Sequence, residues 1–226
     1  MEMNEQIREH LEMDYYNYNT KSNDIRQLLL DLWEVEDLGK LHEVREYPIF
    51  TMEDNSNTEF HKKFYDKLRE GWPEFMEAYL KIVKTPAWIN SNYLYQTTPT
   101  LRIHLVNNWA TPEFHKDTQK GYNHPNHEKN WILPLTYCYG NNSVWVESSP
   151  EKFDFHPIQM SYGDLIAWDG GKLLHGNKIN DTLTTRVSFD YRTLNKRNYH
   201  PEKCSTSVTN GLQFKVGSYY AEFEEE

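Results

Sequence analysis

Three residues of metal-binding type stand at a spacing that can do chemistry. His115 and Asp117 are two positions apart in FHKD, and His175 follows 60 residues later. Two imidazoles and one carboxylate on one face of a metal ion form a facial triad. That arrangement leaves three adjacent positions open, which non-haem Fe(II) needs for a bidentate co-substrate and for dioxygen. In an extended segment residues i and i+2 point the same way, so His115 and Asp117 can come from one short stretch. The third ligand must come from another strand. Arg186 lies 11 residues after His175 and Ser188 two residues further on, within TRVSFDYR. The arginine offers a planar, permanently charged fork for a carboxylate. The serine projects from the same face of a strand and adds a hydroxyl. A histidine or arginine alone would be an ordinary packing or surface residue. The ordered set of H-x-D, distal His and R-x-S is what carries information.

These residues need rigid elements. LRIHLV alternates, with Leu101, Ile103 and Leu105 on one face and Arg102, His104 and Val106 on the other. WILPLTYC, SVWVES, FHPIQM, DLIAW and TTRVSFDYR are further strand candidates. They are separated by turn chemistry at 141–143, 162–164 and 169–171. Short strands at such intervals predict an all-β sandwich or barrel over about 98–193. Residues 1–92 read as mostly helical. Asn23 or Asp24 caps a helix through IRQLLLDLWEV, and a second helical stretch from Glu59 to Lys84 is broken by Gly71 and Pro73. Residues 194–226 form a C-terminal extension. GLQFKVGSYY is a final strand or docks on the core, and EFEEE is a solvated end. The whole chain is expected to be one domain, with a helical region (1–92), a β core (93–193) and the extension (194–226).

Composition narrows the function further. The chain has 226 residues, and 34 acidic against 24 basic side chains give a formal net charge of −10. That balance argues against nucleic acid as a partner. Mean hydropathy is −0.86, and no apolar run approaches the roughly 20 residues of a membrane span. The acidic stretch MEMNEQIREHLEMD lacks an apolar core, so no secretory signal is expected. Two cysteines are too few for a disulfide scaffold, and a cytoplasmic location is expected. No G-x-S-x-G elbow is present, and Cys138 reads as a core residue rather than a nucleophile. The WDGG segment reads as a turn, since it lacks the lysine and helix of a phosphate-binding loop.

Other polar residues sit close to the constellation. Tyr122 and His124 follow the H-x-D segment and are expected to border the pocket and touch substrate. His124 and His127 lack further ligands at metal spacing. Arg102 and His104 share a strand face; pointing inward, they would bind an anionic or hydroxylated substrate.

Four segments resemble the iron(II)/2-oxoglutarate-dependent dioxygenases: RIHLVNN (102–108), FHKDTQKGYNHP (114–125), NWILPLTYCYGNNSVWVES (130–148) and LLHGNKINDTLTTRVSFDYR (173–192). More narrowly, they are similar to the StrG-like, streptomycin-biosynthesis branch near the phytanoyl-CoA hydroxylase group. The resemblance runs over roughly residues 100–192 and leaves the N-terminal zone and the tail outside. It implies a double-stranded β-helix, a cupin-like jelly roll, with flanking helices. It implies His115, Asp117 and His175 as iron ligands, and Arg186 with Ser188 as partners of the distal carboxylate of 2-oxoglutarate. It places Asn130 and Trp145 on strands facing the same pocket, Asn130 toward the co-substrate and Trp145 toward substrate.

The function implied is oxidative decarboxylation of 2-oxoglutarate to succinate and carbon dioxide, coupled through O2 to hydroxylation of a small polar metabolite such as an amino acid or amino sugar. Halogenating relatives lack the carboxylate ligand, so Asp117 favours hydroxylation. Two other readings stay open. One is a non-catalytic, metal-binding jelly-roll module, against which Arg186 and Ser188 speak. The other is the same chemistry on a peptide side chain. Oligomeric state is not legible.

Overall fold

A computed structural model describes residues 13–51, 56–111, 113–207 and 211–223. Most of the acidic N-terminal stretch (1–12) and the last three glutamates lie outside the described residues. Among the described residues there are ten strands and three α-helices: β1 (Met13–Asn17), α1 (Ile25–Trp33), α2 (Glu59–Glu70), α3 (Pro73–Val83), β2 (Tyr93–Gln96), β3 (Thr100–His104), β4 (Lys129–Pro134), β5 (Trp145–Val146), β6 (His156–Pro157), β7 (Asp164–Trp168), β8 (His175–Gly176), β9 (Arg186–Asn195) and β10 (Tyr220–Glu222). The fold is mainly β, and the named strands pair antiparallel. The larger sheet runs β1-β7-β4-β9-β2-β10, with β3 also on β9; the smaller runs β6-β5-β8.

The helices form where local chemistry dictates. Asp24 caps α1 by accepting from the Gln27 amide at 3.1 Å, and Ile25, Leu29 and Trp33 share one buried face. Thr58 and His61 make a reciprocal capping box at the start of α2. Gly71 ends α2 at a φ of +99°, which a side chain would strain, and Pro73 opens α3. The break expected between Glu59 and Lys84 is therefore present.

Alternation along the strands sorts the core into two layers. Leu101, Ile103, Trp131, Leu133, Val187, Phe189 and Tyr191 face the helices and pack on Phe64, Phe75 and Tyr79. Ile132, Ile166 and Trp168 face the other way, onto Val144, Val146 and Ile158 around the smaller sheet. The functional side chains occupy this second layer, between the sheets.

The structure adds to two expectations. The described part of residues 1–92 holds a strand beside its three helices: Met13–Asn17 lies along β7, with Tyr15 opposite Ile166. The tyrosine-rich sequence MDYYN suits an edge strand, and its lack of a helical apolar period was the signal available. At the other end, Tyr220–Glu222 is a strand paired with β2. Phe223 is buried against Tyr95, with ring centroids 4.7 Å apart, so the run EFEEE begins docked rather than solvated.

Two histidines are held neutral inside this framework. Burial pushes His61 down to about 4. Burial, and then the charge of Arg186, push His104 down to about 3. Below pH about 6.5 the unfolded chain binds protons that these rings refuse. Stability is therefore expected to fall by about 1.4 kcal/mol per pH unit for each ring between pH 6.5 and 4. Urea unfolding at pH 7, 6 and 5 checks this, with His104→Asn expected to flatten the slope. A slope unchanged by that substitution would mean that His104 titrates normally.

Candidate metal centre

The long strand β9 supplies the floor of the site. Its outward-pointing Val187, Phe189 and Tyr191 enter the helix-side core, so Arg186, Ser188, Asp190 and Arg192 all face the space between the sheets. Register places Arg102 opposite Ser188 and His104 opposite Arg186 on β3. On the other flank Asn130 of β4 lies opposite Arg192.

The roof comes from β8. His115 and His175 form an antiparallel bridge, exchanging backbone hydrogen bonds of 2.9 and 3.0 Å. This close approach needs a glycine after His175, because a Cβ on Gly176 would lie 2.9 Å from the Cα of Phe114. The Asp117 amide then donates to the Gly170 carbonyl at 2.9 Å. A Cβ on Gly170 would sit 2.3 Å from Nδ2 of Asn130. Gly170→Ala is accordingly expected to destabilise the fold by about 1–3 kcal/mol and to weaken metal binding. Urea unfolding and Mn(II) titration measure the two effects, and an unperturbed variant would show that Asn130 moves freely.

His115, Asp117 and His175 come together as three buried ligands, with one donor atom from each within 4.8 Å of the others. Asp117 Oδ1 lies 3.4 Å from His115 Nε2 and 3.5 Å from His175 Nε2. Each imidazole is oriented from behind: Nδ1 of His115 faces the Glu113 carbonyl at 2.8 Å, and Nδ1 of His175 faces the Leu173 carbonyl at 2.9 Å. Those bonds assign the proton to Nδ1 and leave the Nε2 lone pairs for a metal. Asp117 Oδ2 accepts from Asn130 Nδ2 at 2.6 Å and from Arg192 at 3.0 Å. Burial alone would raise the Asp117 carboxyl, but the Arg192 guanidinium beside it holds it well below the usual range. It is a carboxylate at any working pH. Two imidazoles with Nε2 turned to the site and a fixed carboxylate form a donor set suited to a divalent metal ion. Among the described residues this is the one such cluster.

The same cavity is lined by Arg186. Arg186 is 1% exposed, and its Nε and Nη1 have no hydrogen-bond partner; neither does the Ser188 hydroxyl. Burial lowers the pKa of Arg186, so the fold holds a cation in an unfavourable setting. A carboxylate ligand would relieve it.

The other expected residues divide. Arg102 lines the cavity, and its Nε donates to Asp190 Oδ2 at 2.8 Å. Tyr122 stacks flat on His115, with ring centroids 3.9 Å apart. Trp145 lies beside Gly176 on β5 and carries Lys178 over its ring at 3.2 Å. Asn130 is placed on Asp117 rather than along the path to Arg186. His104 is fully buried behind the cavity, with Nε2 2.9 Å from the Asn108 carbonyl and Nδ1 3.3 Å from that of Asn142. His124 turns to Glu128 at 2.6 Å and packs on Phe214, away from the triad. Arg192, Asp190 and Asn177, which also line the cavity, were not anticipated. For Arg192 and Asp190 the signal existed, because R-x-S extends with the same period to R-x-S-x-D-x-R.

No protein-family model matches the chain. The streptomycin biosynthesis protein StrG of Streptomyces griseus is 34% identical over 172 residues, covering 76% of this chain and 80% of StrG. Among solved structures, CytC3 with Fe(II) and alpha-ketoglutarate superposes with a TM-score of 0.50 at 10% identity, over 90% of this chain and 82% of that one. SnoK, a non-heme alpha-ketoglutarate-dependent carbocyclase from nogalamycin biosynthesis, gives 0.45 at 10% identity over 86% and 84%. The fold is shared with CytC3, and the structure carries a His-Asp-His cluster of metal-binding type. The chain belongs to the StrG family.

Proposed function

We propose that the protein is an Fe(II)- and 2-oxoglutarate-dependent hydroxylase of a small polar metabolite, built as a single jelly-roll domain. The observation that carries this is buried Arg186, its Nε and Nη1 unpartnered, in the same cavity as His115 and His175, with the unpartnered Ser188 hydroxyl two residues along β9. A metal kept for structure alone needs no such pair. When bound, iron and 2-oxoglutarate supply the oxidation: O2 is consumed, the keto acid becomes succinate and carbon dioxide, and one oxygen atom enters a substrate C–H bond.

The chain's own residues do the rest. His115 Nε2, His175 Nε2 and Asp117 Oδ1 would hold the metal. Arg186 and Ser188 would hold the distal carboxylate, so that the keto acid's other end reaches the metal. The free space among these side chains is about 40 Å³, room for few waters. A five-carbon diacid would therefore need lining side chains to turn. Trp168 and Val144 wall the cavity on its apolar side and keep water out. Arg102, still joined to Asp190, and Tyr122, against His115, would meet the substrate, with Trp145 beside the strand of His175. His104 would act only from behind Arg186, as a neutral spacer, and His124 as an anchor of its loop.

No described helix is long and apolar enough to cross a membrane. Both cysteines are free thiols, which suits the proposed cytoplasmic setting.

The test is a screen of polar metabolites with the Fe(II)-loaded protein, read as succinate formed per 2-oxoglutarate consumed. Substrate-dependent succinate that is lost in Asp117→Ala supports the reading. Succinate formation indifferent to Asp117→Ala contradicts it.

A further inference from the structure

Asp117 has two oxygens, and either one or both can bind a metal. Oδ1 faces the imidazoles. Oδ2 is occupied twice, by the Asn130 amide at 2.6 Å and the Arg192 guanidinium at 3.0 Å. A carboxylate oxygen has two lone-pair directions, so two donors fill it. We propose that Arg192, with Asn130, is a positioning device that holds Asp117 to one ligating oxygen and keeps a coordination position open for the keto acid. This rests on the reading of the site given above.

Three features favour a dedicated role over general packing. Arg192 is 7% exposed, and its single hydrogen bond among the described residues goes to Asp117, its Nε being unpartnered. Asp190, the neighbouring acid on the same face of β9, takes its hydrogen bond from Arg102, and none joins it to Arg192. The two donors also come from adjacent strands in direct register, Asn130 opposite Arg192, which fixes both to the rigid sheet rather than to a loop. The chemistry then follows from counting. An octahedral ion held by three protein atoms has three positions left, two for a bidentate keto acid and one for dioxygen. A carboxylate free to swing would take one of them. Loss of the clamp should therefore leave metal affinity intact, or raise it, while weakening the keto acid.

The experiment loads the full chain with Mn(II) and counts inner-sphere waters by water-proton relaxation, alongside Mn(II) and 2-oxoglutarate affinities. Wild-type protein is expected to carry about three exchangeable waters. Arg192→Met is expected to carry about one fewer, to bind Mn(II) within threefold of wild type or more tightly, and to need at least tenfold more 2-oxoglutarate. Arg192→Lys, which keeps the charge but not the fork, is expected to restore the third water in large part. Asn130→Ala removes the other donor without stranding a charge, and is expected to lose a water likewise if Arg192→Met does not fold. An unchanged water count in the variants, with Mn(II) and 2-oxoglutarate affinities falling together, would make both residues merely structural and overturn the proposal. A wild-type chain whose Mn(II) binding is indifferent to His175→Ala would instead overturn the reading of the site itself.

Discussion

His175→Ala and Asp117→Ala are both expected to abolish metal binding and lower turnover by roughly a thousandfold or more, yet to differ in stability. Removing a ligand forfeits the several kcal/mol that a catalytic metal supplies. His175 uses its Nδ1 only on the Leu173 carbonyl, so its loss strands little. Asp117 is the counter-ion of buried Arg192. Its removal leaves that charge unpaired, a change that destabilises by about 3–5 kcal/mol. Urea unfolding of the apo-proteins separates the two variants. Equal stabilities would mean that Arg192 finds another partner and that the Asp117–Arg192 pair is not what fixes the carboxylate.

The second large effect has the opposite sign. Arg186→Met is expected to weaken 2-oxoglutarate binding about a hundredfold, in line with loss of a bidentate, charge-assisted pair. At the same time it should stabilise the ligand-free fold by about 1–4 kcal/mol, because a buried cation without a partner is replaced by a side chain of similar volume. β9 would thus carry two arginines with contrary contributions: Arg192, ion-paired with Asp117, supports the fold, while Arg186, its Nε and Nη1 without partners, is proposed to serve a ligand. Thermal unfolding with and without 2-oxoglutarate measures both. A methionine variant that is less stable than wild type and still binds the keto acid would show that Arg186 is a structural residue.

The parts of this arrangement that were legible in the sequence are those written by local chemistry. The cap at Asp24, the break at Gly71 and Pro73, and the alternation of β3 and β9 depend on a few adjacent residues. H-x-D and R-x-S were legible because each is short and its two named side chains share one face. What was not legible depends on pairing between distant segments. The partner of Asn130 is Asp117 only because β4 lies between β7 and β9 and because Gly170 leaves room for the amide. His104 looked available on its strand face, but register puts it opposite Arg186, where the backbone of Asn108 and Asn142 takes its ring. His124 looked like a pocket residue by its closeness to Asp117 in sequence. The positive-φ residues Gly121 and Asn123 turn the chain there, and the ring packs with Glu128 and Phe214 instead. The strand at Met13–Asn17 has no helical period, yet only its pairing with β7 reveals its place in the sheet.

The most direct test of the proposed site is an anaerobic titration of the purified apo-protein with Fe(II) and then 2-oxoglutarate, followed by visible absorption. A weak metal-to-keto-acid charge-transfer band is expected in wild-type protein. It should be absent in His175→Ala and require about a hundredfold more 2-oxoglutarate in Arg186→Met. A folded wild-type protein that binds Fe(II) at the triad but develops no band at saturating 2-oxoglutarate would contradict the oxygenase reading and leave a metal-binding module in its place.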